Sequence, residues 1–291
     1  MSDHDPFAAS REGEIRKYVL IPALVLSLGA TSAHPAPYER VKGWPARSVA
    51  DHVRGGVSGV GVGRRNDVHL LHRAGRIWNR ETPDDLISHP TVLVLDGKTG
   101  RVIRAWGENR FVMPHGLTID RRGNVWITDV KLHQVFKFSP KGKLLMVVGE
   151  ARVPGSDRTH FNQPSDVAVL SDGSFYVSDG YGNSRIAKFS AEGRFRFEWG
   201  SRGAGPGQFL VPHGIDVGPE GRVYVADREN RRVQAFDARG RFLSEWRPTP
   251  LRNPFTVVSL QAGVLVAGHD PEMVGPAGPV RAAEFTADGR S

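Results

Sequence analysis

An all-β propeller is the fold class this sequence predicts, and three observations lead to it. A unit of about 50 residues recurs, aligning "PHGLTIDRRGNVWITDVKLHQVFKFSPKGKLLMVVG" (114–149), "PSDVAVLSDGSFYVSDGYGNSRIAKFSAEGRFRFEWG" (164–200) and "PHGIDVGPEGRVYVADRENRRVQAFDARGRFLSEW" (212–246) almost without gaps. Each copy holds four short β-rich runs, in the first "GLTID", "VWITD", "QVFKFS" and "LLMVVG". Turn signals such as Arg122-Gly123, Lys141-Gly142 and Asp172-Gly173 separate runs within the copies. Four strands per period of this length describe a propeller blade.

Each segment then takes its place in order. Residues 11–17 are polar and end in Arg16-Lys17, and "YVLIPALVLSLGA" (18–30) is a charge-free apolar run followed by "TSA". Residues 1–33 therefore read as an export signal or hydrophobic segment, too short for a stable membrane span, and imply a periplasmic or extracellular location. Residues 34–56 read as a linker, and 57–291 as the propeller. A weaker copy opens it, "VSGVGVGRRNDVHLLHRAGRIW" (57–78), an insert at 79–90 and "TVLVLDGKTGRVIRAWG" (91–107). Another closes it, "NPFTVVSLQAGVLVAGHDPEM" (253–273) with "VRAAEFTADGRS" (280–291) as third strand and turn. Five blades are visible, the last unfinished. Missing strands would leave open edges that invite self-association.

Composition narrows the chemistry. With no Cys, thiolate zinc sites and Cys nucleophiles are excluded, so any metal must use His, carboxylates or carbonyls. The net charge of +8 comes from Arg and Lys spread along the chain without a basic run, a pattern that argues against nucleic acid.

The repeat itself separates scaffold from site. Asp129, Asp179 and Asp227 all lie 15 residues after their marker prolines, so they belong to the blade as turn caps, and Arg185 and Arg232 follow the same rule. His115 and His213 break the pattern, facing Ser165 and Phe255 in other copies, and Tyr181 faces Lys131 and Glu229. First strands line a propeller channel, and the loops after second strands open on the face where first strands begin, so these three side chains should meet at one mouth. Two readings stay open. Alternate blades of a six-bladed ring could supply a three-histidine zinc site, or both histidines could be satisfied by backbone groups in a polar channel.

The motifs "MPHGLTID", "WITDVKLHQVFKFSP", "FNQPSDVAV", "YVSDGYGNSRIAKFS" and "YVADRENRRVQAF" resemble the peptidyl-α-hydroxyglycine α-amidating lyases, six-bladed propellers of the NHL-repeat class, over roughly 57–290. The resemblance implies cleavage of a peptide with a C-terminal α-hydroxyglycine to the peptide amide and glyoxylate. It places a catalytic Zn2+ on His115 and His213, the catalytic tyrosine at Tyr181 and the catalytic arginine at Arg73. It also implies a structural Ca2+ held partly by the carbonyls of Val60 and Leu117.

The departure lies in the third zinc histidine, which the family carries at the opening of blade six. From Val57, six periods of 48–50 residues would run to about residue 350. His269 in "GHDPEM" falls in the slot of Asp129, Asp179 and Asp227 and so ends a second strand. A truncated product, a five-bladed relative and a ring completed by another chain are the competing explanations. The functional alternative is a non-catalytic exported propeller that binds a peptide, glycan or protein partner. A calcium-dependent propeller hydrolase or lactonase is disfavoured, because Glu is absent from the first-strand slots.

Overall fold

The computed structural model describes residues 41–77, 79, 81–249, 251–269 and 280–290. The expected export segment lies outside them. Blade one comprises β1 (Val57–Val62), β2 (Val68–His72), β3 (Val92–Leu95) and β4 (Val102–Trp106). Blade two holds β5 (Pro114–Ile119), β6 (Val125–Asp129), β7 (Gln134–Phe138) and β8 (Leu144–Val148). Blade three holds β9 (Asp166–Val169), β10 (Phe175–Asp179), β11 (Arg185–Phe189) and β12 (Phe195–Trp199). Blade four holds β13 (Pro212–Val217), β14 (Val223–Asp227), β15 (Arg232–Phe236) and β16 (Phe242–Trp246). Blade five, among the described residues, holds β17 (Asn253–Ser259), β18 (Val264–His269) and β19 (Val280–Phe285). Among the described residues, the named strands of each blade pair antiparallel with their neighbours in sequence.

The sequence pattern explains the layering. Middle strands such as β6, β10 and β14 are Val-, Ile- and aromatic-rich and buried at every residue, because neighbouring blades cover both faces. The outermost strands β8, β12 and β16 are more exposed, β12 and β16 with polar residues among apolar ones and β8 although all its residues are apolar. The core accordingly sits between blades. Leu71, Val92 and Trp106 of blade one pack with Val125, Ile127 and Phe138 of blade two, and Trp126 and Val148 of blade two pack with Phe175 and Phe189 of blade three. Gly142, at φ +84°, turns β7 into β8 where a Cβ would lie 2.9 Å from the Trp106 ring, so the turn and the blade stacking both require glycine there.

Within the expected linker 34–56, Trp44 and Val49 are buried against Val68, Leu70, Leu93 and Leu95 of the first blade. The insert 79–90 is anchored by buried Ile87, whose N–H donates to Phe111 O at 2.8 Å.

The recurring aspartates do scaffold work. Asp129 accepts the backbone N–H groups of Val112, Met113, Lys131 and Leu132 at 2.8–2.9 Å, tying the entry of blade two to its second turn. Asp179 accepts from Asn162 N and from Arg185 Nε, each at 2.9 Å. Asp227 accepts from Leu210 N and Arg232 Nε, each at 2.8 Å, and Arg232 also donates to the carbonyls of Ala204, Gly205 and Gln208.

Removing Asp227 leaves Leu210 N and Arg232 Nε without their acceptor in a buried site, although Arg232 keeps its ion pair with Glu245 at 2.7 Å. Asp227→Ala is expected to lower the unfolding free energy by about 3–5 kcal/mol in urea titration. Arg241→Ala, at the exposed pair with Asp237, should leave the midpoint close to wild type.

Candidate functional site

The innermost strands meet through side chains at their first residues. Ser58 Oγ donates to Pro114 O at 3.2 Å, His115 Nδ1 to Ser165 O at 2.9 Å, Ser165 Oγ to His213 O at 2.8 Å, and His213 Nδ1 to Phe255 O at 2.7 Å. The slot thus joins each blade to the next, and it reads Ser, His, Ser, His through blades one to four. Carboxylates reinforce the joints further along the channel. Asp166 accepts from Ile215 N at 3.2 Å and Asp216 from Ser259 N at 2.7 Å, so both first-strand carboxylates are engaged by neighbouring backbone.

A carbonyl can only accept, so the Nδ1 atoms of His115 and His213 carry hydrogen and the Nε2 atoms of the neutral rings are lone-pair acceptors. Both Nε2 atoms point at one place. His115 Nε2 lies 3.0 Å and His213 Nε2 2.9 Å from the Tyr181 hydroxyl, with the imidazole centroids 4.9 Å apart. The three side chains that break the repeat in the sequence therefore meet at one mouth of the channel.

Electrostatics keeps the pair neutral. Burial, reinforced by the charge of Arg73, pushes His115 down to about 3. Burial and then the charge of Arg228 hold His213 well below the ordinary histidine range.

Arg73, in the turn after β2, donates through Nε to Pro114 O at 3.4 Å, one residue from His115. Sequence reasoning does not single out Arg228. It follows β14 and donates through Nη1 to the Tyr181 hydroxyl at 3.1 Å, with its guanidinium 5.1 Å from that ring. Burial opposes its charge, but Tyr181 and the Glu229 carboxylate outweigh burial and raise its pKa. A signal for it exists in the sequence. One residue past the end of the second strand, the blades carry Arg73, Val130, Gly180 and Arg228, so arginine breaks the pattern there as Tyr181 does one residue later.

One phenol hydrogen cannot serve two acceptor nitrogens at once, and two converging neutral imidazoles are a donor set suited to zinc. They would be two of its ligands. Among the described residues no group of three or more His, Asp or Glu side chains is placed to hold a metal ion. His269 ends β18 opposite Asn253, in the second-strand slot. For the expected Ca2+ site, β1 and β5 come close at Gly59, the residue before Val60, and Leu117, since a Cβ on Gly59 would lie 2.7 Å from Leu117 Cβ.

The repeat and the chain as a whole are similar to known proteins. The NHL repeat matches residues 111–138, 161–189 and 209–236, within blades two, three and four. Peptidyl-glycine alpha-amidating monooxygenase B of Xenopus laevis is 42% identical over 246 residues, covering 78% of this chain and 28% of the relative. Peptidyl-alpha-hydroxyglycine alpha-amidating lyase 1 of Drosophila melanogaster is 41% identical over 226 residues, covering 70% of this chain and 41% of the relative. The chain thus spans less than half the length of either relative. A chain of a crystallised nidogen/laminin complex aligns at TM-score 0.58 and 15% identity, covering 78% of this chain and 75% of that one, a likeness of fold alone.

The histidine pair sets an acid limit on stability. An unfolded histidine binds a proton near pH 6.5, whereas these folded rings do not until far lower pH, so stability is lost as pH falls below 6.5. In chelator-treated protein the loss is expected at roughly 1.4 kcal/mol per histidine per pH unit. Urea midpoints at pH 7.5 and 5.0 should show a clearly smaller acid loss in the His115→Gln/His213→Gln variant than in wild type.

Proposed function

Because the chain belongs to the family of NHL-repeat propellers that includes the peptidyl-α-hydroxyglycine α-amidating lyases, we propose that it cleaves a peptide ending in α-hydroxyglycine to the peptide amide and glyoxylate. The observation that carries this reading is the Tyr181 hydroxyl set between two neutral imidazole nitrogens and against the Arg228 guanidinium. The reaction must remove a proton from the carbinol hydroxyl, form the aldehyde C=O, break the C–N bond and return a proton to the departing amide nitrogen.

Tyr181 is the proton carrier in this reading. As phenolate it takes the carbinol proton, and as phenol it returns one to the departing amide nitrogen. Arg228 donates to the phenol oxygen and stabilises its anionic form, and cation–π contact with the ring holds the two together. Arg73 presents a second guanidinium suited to the substrate's terminal carboxylate. The neighbouring Pro114 carbonyl holds Arg73 Nε and so orients it. His115 and His213 would hold a zinc ion, which when bound polarises a hydroxyl oxygen and lowers its pKa. In the same reading the carbonyls of Val60 and Leu117 would contribute to a structural Ca2+ site. An exported location belongs to the same reading and rests on the apolar run 18–30.

Incubation with a synthetic hydroxyglycine peptide, followed by glyoxylate detection, tests the proposal. Wild type is expected to release glyoxylate above the uncatalysed rate. Tyr181→Phe should lower kcat by roughly 10²–10⁴-fold with KM little changed. Equal rates for the two proteins would remove Tyr181 from the mechanism. A folded wild type that releases no glyoxylate would leave a binding propeller as the better description.

A further inference from the structure

Ser165 occupies the same slot as the two histidines, between them in sequence and in space, and is 1% exposed. Its two polar ends serve different partners. Its carbonyl accepts His115 Nδ1 at 2.9 Å and Thr128 Oγ1 at 3.0 Å. Its hydroxyl meets three carbonyl oxygens, Ser178 at 3.0 Å, Pro212 at 3.0 Å and His213 at 2.8 Å.

Three carbonyl oxygens gathered in a buried space repel one another unless a donor lies among them. Ser165 supplies that donor, and so lets the entry of β13 approach blade three. The approach also reaches Tyr181. A Cβ on Gly180 would lie 1.9 Å from Pro212 O, so the residue preceding Tyr181 packs directly on the carbonyl that Ser165 binds.

We propose that Ser165 is a positioning residue that couples the two site histidines, its carbonyl fixing the ring of His115 while its hydroxyl fixes the backbone that carries His213. The inference rests on reading those histidines as the pair that would hold zinc. Loss of the hydroxyl should loosen β13 against β9, disturbing both imidazoles although Ser165 touches neither of their Nε2 atoms.

The ring Cε1–H signals of His115 and His213, assigned by NMR in the metal-free full chain, provide a readout that does not depend on activity. Ser165→Ala is expected to shift or broaden both signals, and Ser165→Thr, which keeps the hydroxyl, to retain them near their wild-type positions. The His69 signal, on blade one, should not move. Val225→Ala, in the blade-four core, controls for destabilisation alone and should leave both site rings in place. If Ser165→Ala does not fold, Ser165→Cys, a weaker donor of similar shape, takes its place. Unchanged signals for either histidine in the donor-deficient variant would overturn the coupling. Chelator competition for zinc adds a second arm. Affinity should fall roughly 10–100-fold in Ser165→Ala. A wild type that binds no zinc would count against the metal reading of the site, and the ring signals would still decide the coupling.

Discussion

Blades of a propeller bury their faces against one another, yet apolar packing alone does not set how far each innermost strand slides past the next. Here a hydrogen bond sets it. A side chain opening one innermost strand donates to a carbonyl of the following blade, from Ser58 to Pro114, His115 to Ser165, Ser165 to His213 and His213 to Phe255. Leaving such a carbonyl without a donor in a buried joint costs on the order of 1–3 kcal/mol, so in blades one to four the slot must hold a donor whatever else it does.

Serine and histidine both meet that requirement, but they differ in what remains. Serine uses its single hydrogen in the joint. Histidine gives Nδ1–H to the joint and keeps a second nitrogen, which the rigid carbonyl contact aims into the channel mouth. Two of the four donors are histidine, and their remaining nitrogens converge on Tyr181. The joint thereby supplies orientation and tautomer at once, and burial keeps the rings neutral. Scaffold and site readings of these histidines, which look exclusive in the sequence, describe opposite ends of the same rings.

Much of this arrangement is legible in the amino-acid sequence alone. The 50-residue period carries the blades and their strand order, because turn glycines and buried β-branched runs are local signals. Departure from the repeat carries His115, His213 and Tyr181, because the other copies act as controls for what a blade requires. Arg228 escapes notice although its slot breaks the pattern too, since an arginine beside a surface-like Glu-Asn-Arg-Arg run resembles a solvated turn. Trp44 and Val49 escape it because they pack on blade one without belonging to the period. Ser165 looks like a lapse between histidines. Only the backbone carbonyls that surround its hydroxyl, which no sequence pattern displays, give it a role.

The chemistry of the channel mouth depends on which ring nitrogen carries hydrogen. Long-range 15N–1H NMR on chelator-treated protein reads this directly for His115 and His213. Both rings are expected to be protonated at Nδ1 and bare at Nε2, and to remain so between pH 5 and 8. A ring found protonated at Nε2, or one that takes up a second proton within that range, would contradict the joint-and-site role assigned to these histidines.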